Sequence, residues 1–377
     1  MPTTAETLPT DPVVAMRSIL QRIATGPELS KDISLEEARL GMSLVLEGKV
    51  DPVQAGIFLI ALRMKRETDD ENKGILDAIR DVTESATVSV DALVDIADPY
   101  DGFNRNLLVS PFLPSLLAAL GVPAFSHGVA EVGPKYGATH SRVLAAAGVP
   151  VDGTPSEAAD RITDPTIGWA YVDQRSFCPK LHQLTELRTL IVKRPTITTV
   201  EVLAGPLRAR GTNHLLTGYV HKPYPRIYAM LARHAGFDSA LLVRGIEGGV
   251  LPSLRQLGTF WHYHGGNAEQ RLELQPAELG IQQEVRAVPL PEGLPGYSKK
   301  TDGIGAKVDP AAVAKASAQA GYAALEGSPG PARDSLIYGA ALCLWHLKKC
   351  ASWRAAADKA REAIDSGDAL RRFRAAA

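Results

Sequence analysis

LVDIADPYDGFNRN, residues 93–106, is a short apolar run that stops at a loop crowded with carboxylates, amides and an arginine. The run has the length of a strand, and the pattern recurs outward from it. Residues 122–126, 169–172, 198–203, 215–220 and 240–243 are further short apolar runs, separated by helical stretches such as 112–120 and 226–234. Strands alternating with helices predict an α/β fold with a mainly parallel central sheet, covered on both faces. In such sheets ligands bind in the loops that leave the carboxyl ends of strands, so these loops are where function is sought.

Upstream, residues 1–87 read as a helical domain, with 88–377 as the α/β domain and residues 1–11 expected to be disordered. Ser34 with Glu37, and Thr68 with Glu71, have the spacing of a capping box, in which each side chain satisfies an exposed backbone donor. Asp51-Pro52 opens another helix, whose Ala55, Phe58, Leu59 and Leu62 recur at helical spacing and predict a buried face. Downstream, 275–308 is rich in Pro and Gly and reads as irregular connection. Two or three helices close the chain, the first begun by Asp309-Pro310 and the second by Gly330-Pro331.

The 377 residues suit two domains, and 45% apolar with 22% charged residues is ordinary for a globular chain with a sizeable core. Forty-one Lys and Arg against 42 Asp and Glu give no global positive field, so net charge does not favour nucleic acid or anionic lipid as a partner. Cys178, Cys343 and Cys350 form no CxxC pair and suit a reducing compartment. The polar start lacks the marks of a signal peptide, and no segment is long and apolar enough for a bilayer. A cytoplasmic protein is expected.

Four strings carry a family resemblance. SLEEARLGMSLVLEGKVDPVQAGIFLIALRMKRET (34–68), SHGV (126–129), AGPL (204–207) and GPARDSLIYGAALCLWHLKKCASWRAAADKAREAIDSGDAL (330–370) are similar, in this order, to stretches of anthranilate phosphoribosyltransferase, a member of glycosyltransferase family 3. SHGV is similar to that family's KHGN and AGPL to its LGPL. The resemblance implies a small N-terminal helical domain and a larger α/β domain with C-terminal helices. It also implies a homodimer formed through the N-terminal helices, a small-molecule ligand in a cleft between domains, and a glycosyltransferase acting by phosphoribosyl transfer.

The departures concern the family's ligand motifs. Where the family carries GTGGD, whose glycines let backbone amides approach a diphosphate, this chain has VDIADPYDG, with Asp98, Pro99 and Tyr100 in that place. The family's Asp-Glu pair, which helps hold magnesium, is absent from RGIEGGVLPS (244–253), where Glu247 is the carboxylate left. The family's Asn in FN-x-LGPL becomes Val202. Magnesium therefore stays an open cofactor without its usual ligands, and the parental activity is expected to be altered or lost.

What replaces the motifs supplies the candidate binding residues. Asp98, Tyr100, Asp101, Asn104, Arg105 and Asn106 share the loop after the first run. They either bind a ligand or simply build turns. SHGVAEVGPKYGATH (126–140) adds His127, Gly128, Lys135, Gly137 and His140. There His127 either exchanges protons or makes a structural hydrogen bond, and Lys135 neutralises an anion as the family's own loop lysine does. Arg208, with Arg210, Asn213, His214, His221 and Lys222, forms a third cluster, either at the same mouth or on a solvated connection. In WHYHGG (261–266), His262 and His264 lie on one face of a strand. No third ligand is evident beside them, so that segment reads as a polar edge with Trp261 and Tyr263 packed inward and no metal.

No catalytic residue is assigned. Three functions stay open: a phosphoribosyltransferase relative with an altered substrate, a noncatalytic nucleic-acid binder like those relatives that have lost GTGGD, and a small-molecule sensor.

Overall fold

A computed structural model describes residues 11–26, 28–296 and 307–377 of the chain. The expectation of disorder over 1–11 falls, Asp11 apart, outside the described residues. So does the part of the irregular connection at 297–306.

The chain divides into two compact units, one of residues 1–83 with 178–204 and one of 84–177 with 205–377. The first is helical, with Pro12–Ile23, Leu35–Leu46, Pro52–Lys65 and Asp69–Asp81 as its main helices. Both capping boxes form: Ser34 and Thr68 each accept from the amide three residues on, while Glu37 and Glu71 return the bond. Such caps contribute about 1 kcal/mol each. Ala55, Phe58, Leu59 and Leu62 are buried as their spacing predicts.

Residues 198–203, expected as a strand, instead belong to this helical unit as short turns at Ile197–Val200 and Glu201–Leu203. The β-branched run has strand propensity, but tertiary contacts override it. Arg188 makes a two-pronged bond to the Glu201 carboxylate at 2.7 and 2.8 Å, with both side chains buried. Removing either partner of such a pair would leave an uncompensated charge worth about 3–5 kcal/mol.

The second unit is built on a seven-stranded sheet. Its strands are β2 (Ala92–Ala97), β3 (Ala124–Gly128), β4 (Trp169–Asp173), β6 (Thr212–Gly218), β7 (Ser239–Val243), β8 (Gly258–His264) and β9 (Gln270–Leu274). A separate parallel pair joins β1 (Ala86–Val88) to β5 (Leu207–Ala209). The large sheet runs in the order β4-β3-β2-β6-β7-β8-β9, with the first five strands parallel and β8 pairing antiparallel with both β7 and β9. The mainly parallel sheet expected from the sequence is therefore present.

Four helices close the chain: Pro310–Leu325, Pro331–His346, Trp353–Asp365 and Asp368–Ala375. They complete the core around stacked rings, with Phe373 lying 4.4 Å from Phe112 and 5.2 Å from Trp169 between ring centres. The Trp169 indole nitrogen donates to the Arg372 carbonyl at 3.0 Å, so this large side chain is buried without losing its polar partner. No helix among the described residues is long and apolar enough to cross a membrane.

The strand order reverses between β2 and β6, the strand pair on either side of which the connections run in opposite directions. That is a topological switch point, where the carboxyl-end loops splay apart and leave room for a ligand.

Candidate functional site

The loop after β2 does not splay. Gly102, with φ of 79°, turns it back on itself. Phe103 and Ala138 then exchange backbone bonds at 2.9 Å in each direction, and the Gly137 amide donates to the Asp101 carbonyl at 2.9 Å. A Cβ at Gly137 would lie 2.6 Å from Asn104 Oδ1, which is why that approach needs glycine. The predicted ligand loop is thus stitched to the 133–138 loop. Asp98, Tyr100, Asp101 and Phe103 are each at most 5% exposed.

Two buried histidine–carboxylate pairs fix this arrangement from below. His127, on β3, faces Asp95 on β2, with Nε2 to Oδ1 at 2.8 Å, and its Nδ1 meets the Tyr100 hydroxyl. The network assigns the tautomer: Nε2–H donates to the carboxylate and Nδ1 accepts from the phenol. His140 pairs with Asp98 at 2.7 Å, and Asp98 also accepts from Ser110 Oγ and, at 2.8 Å, from the Val250 amide. Both histidines are buried, so they hold the loop in place from inside the fold. Gly128, at the end of β3, would set a Cβ 3.8 Å from the Tyr100 ring, an ordinary packing distance.

Glu247 closes the loop from above. It sits after β7 in a left-handed conformation, φ 51°, that few non-glycine residues adopt. Its carboxylate accepts from the amides of Asn104 at 3.2 Å and Arg105 at 2.9 Å, and from Asn106 Nδ2 at 3.4 Å. Lys135 Nζ donates to the Gly102 carbonyl at 2.8 Å and lies 3.5 Å from Asp101, 4.0 Å from Glu247 and 5.6 Å from the centre of the Phe103 ring. Asn104 Nδ2 donates to the Lys135 carbonyl at 3.2 Å. The amides and the ammonium that could meet an external anion therefore face the protein's own carboxylates.

Behind the loop, next to Asp98, Phe103 and Ser110, remains a cavity of about 30 Å³, room for about one water molecule. Magnesium fits poorly here. It wants several free oxygens in an octahedron, whereas Glu247 is committed to the loop amides and Asp98 to His140, Ser110 and Val250.

In front of the loop lies an open hollow of about 870 Å³ whose walls include Arg105, Arg244, Arg271, Arg286, Glu247 and Glu273. Val220 and Leu257 line it too, 50% and 44% exposed. Tyr219, just past β6, has its phenol pushed up by burial, with Arg244 and Arg271 acting in the opposite sense.

Eleven of the twelve predicted residues therefore gather beside the carboxyl ends of the strands: Asp98, Tyr100, Asp101, Asn104, Arg105, Asn106, His127, Gly128, Lys135, Gly137 and His140. Arg208 does not join them. It stacks on Phe237 at 4.1 Å and donates to the Ala235 carbonyl at 3.0 Å, ahead of the amino end of β7. Sequence reasoning missed Asp95, although a lone carboxylate inside an apolar run was a signal for it. It also missed the role of Glu247, which it had noticed only as a residual metal ligand.

Comparisons with known proteins agree with this architecture. Models of the glycosyl transferase family match residues 17–83 as its helical bundle domain and 101–289 as its a/b domain. A protein of Aquifex aeolicus described only as uncharacterized is 30% identical over 252 residues, covering 67% of this chain and 74% of that protein. The anthranilate phosphoribosyltransferase of Rhodopseudomonas palustris is 27% identical over 364 residues, 96% of this chain and 97% of its own length. Among solved structures, the anthranilate phosphoribosyltransferase of Saccharomyces cerevisiae in complex with PRPP and Mg superposes with a TM-score of 0.76 over 96% of each chain, at 15% identity.

Proposed function

The chain belongs to the glycosyl transferase family of anthranilate phosphoribosyltransferase-like proteins, and from that premise we propose that it has given up phosphoribosyl transfer and binds a polyanion, single-stranded nucleic acid, in the arginine-lined hollow. The observation that carries this reading is the Glu247 carboxylate seated on the amides of Asn104 and Arg105. A diphosphate would have to displace it while also meeting buried Asp98 and Asp101. Charge repulsion in a site of low dielectric opposes that exchange. The yeast relative binds PRPP with Mg; in the loop here the Asn104 and Arg105 amides are taken by Glu247, and the Asp98 carboxylate is committed to His140, Ser110 and Val250.

The hollow in front has the opposite character. Four arginines line it with two glutamates; Glu247 is held by the loop and Glu273 pairs with Arg271, so Arg105, Arg244 and Arg286 carry the positive charge of the hollow. Guanidinium groups pair with phosphates through two parallel bonds. The exposed Val220 and Leu257 between them offer apolar surface to unstacked bases. A local basic concentration of this kind is compatible with a chain that is almost neutral overall.

Fluorescence anisotropy with a labelled single-stranded oligonucleotide tests the reading. Binding should weaken as salt rises, by about 0.7 log units per tenfold salt for each phosphate engaged, and Arg244→Ala with Arg286→Ala should weaken it further. Absence of binding at low salt, or binding indifferent to both substitutions, would remove nucleic acid as the ligand and leave the small-molecule sensor.

The protein is also proposed to act as a cytoplasmic homodimer through its N-terminal helices. Val53, Ile57 and Met64 support this: all three are exposed, and their spacing sets them on one stripe of the helix Pro52–Lys65.

A further inference from the structure

At the amino end of β7, away from the loops described above, three imidazoles converge. His262 and His264 alternate on β8 and so share a face, and His264 lies opposite Ser239, the first residue of β7. The third ring belongs to His346, the last residue of the helix Pro331–His346. The sequence reading found no third ligand and treated β8 as a polar edge. The structure supplies the ligand from the closing helices, and it places β8 between β7 and β9 with His262 turned inward.

We propose that His262, His264 and His346 form a three-histidine site for a divalent transition metal, zinc, with its fourth position open to a cavity of about 640 Å³.

One nitrogen from each ring lies within 4.8 Å of the others. In a tetrahedral zinc site with bonds of about 2.0–2.1 Å the nitrogens stand roughly 3.3 Å apart. Modest rotation of His264, the most exposed of the three, closes that difference. His262 stands at 76° to His264 and 88° to His346, whereas His264 and His346 are stacked at 25° with centres 4.4 Å apart, so His264 has to turn off that stack to join the metal.

Two further observations separate this cluster from ordinary ring packing. Both nitrogens of His262 and Nδ1 of His346 are buried without a hydrogen-bond partner. Buried polar atoms rarely stay unsatisfied, because each forfeits its bond to water. The other nitrogen of His346 is held from behind: Nε2 is 2.7 Å from Ser239 Oγ, which in turn is 2.7 Å from His214 Nδ1, and His214 Nε2 is 2.9 Å from Thr212 Oγ1. Metal-bound histidines are commonly oriented through their second nitrogen in this way. With Nε2–H donating to Ser239, the Nδ1 lone pair is left for a metal.

Lys348 and Lys349 also line the cavity and repel a cation. Both are exposed, however, and water screens them. Imidazole ligands with a tetrahedral open position suit zinc better than the hard cations magnesium and calcium. Bound there, the metal would fasten β8 to the end of the helix Pro331–His346.

The test uses the full chain, stripped by a chelator and titrated with zinc against a chromophoric competitor. One zinc per chain should bind and raise the melting temperature. Cobalt in its place should give the intense visible bands of four-coordination without a thiolate band from Cys350. His264→Gln, at a partly exposed position, should keep the circular dichroism spectrum and melting of the stripped protein but lose more than about 100-fold in zinc affinity, and Ser239→Ala roughly tenfold. His346→Ala should match His264→Gln in zinc binding. Zinc uptake unchanged in His264→Gln, no saturable uptake by the parent chain, or a thiolate band in the cobalt form would overturn the proposal.

Discussion

Replacing Glu247 with glycine should convert a closed anion site into an open one. The carboxylate accepts three hydrogen bonds, at 2.9, 3.2 and 3.4 Å, and its side chain is 9% exposed. Charge-assisted bonds contribute about 1.5–3 kcal/mol each when well formed. Two of these are long, and Arg105 is exposed enough for water to replace the carboxylate, so a total loss of about 3 kcal/mol is reasonable. Against it, glycine relieves the left-handed backbone at φ 51° by roughly 1–2 kcal/mol. The net destabilisation of about 1–2 kcal/mol corresponds to a melting point lower by roughly 2–8 °C for a unit of this size. Diphosphate should then take the vacated amides beside Lys135. At ten times its Kd it would restore about 1.4 kcal/mol. Differential scanning fluorimetry of both proteins, with and without diphosphate, reads this directly. The parent chain should ignore diphosphate while Glu247→Gly recovers in its presence. Equal stabilisation of both, or none of the variant, would refute the assignment of Glu247 as the resident anion.

Gly249→Ala would place a methyl group 2.5 Å from the Phe103 ring and 2.7 Å from Asp98 Oδ1. Such overpacking costs typically 1–3 kcal/mol, so urea unfolding should show a lower midpoint, whereas an unchanged midpoint would mean that the loop is not tightly seated. Met64→Lys combined with Ile57→Asp should turn the proposed dimer into a monomer by light scattering; a monomeric parent chain would sink that proposal outright.

The fold was legible because its signals are local. Ser34 with Glu37 and Thr68 with Glu71 lie three residues apart, and apolar runs such as 93–97 and 240–243 declare strands by length and flanks. Residues 198–203 misled because the Arg188–Glu201 pair, which holds them in the helical unit, is a tertiary contact with no local trace. The place of the candidate loop in the fold was legible for a similar reason, since DPYDGFNRN follows the first strand. Its state was not. Asp98, Tyr100 and His127 looked like groups turned toward a ligand, yet each is satisfied from within, by His140, His127 and Asp95 respectively. Glu247 reaches the Asn104 and Arg105 amides from a distant loop, and His346 reaches His262 on β8 from the helix Pro331–His346. Such meetings are set by the packing of whole elements, and sequence spacing does not record them.

We propose that this glycosyl transferase relative no longer accepts the sugar diphosphate, because Glu247 already holds the loop amides. Isothermal titration of the full chain with phosphoribosyl pyrophosphate and magnesium, followed by an assay for diphosphate release on adding anthranilate, tests it most directly. No saturable heat and no release are expected. Metal-dependent saturation accompanied by anthranilate-dependent diphosphate release would contradict it.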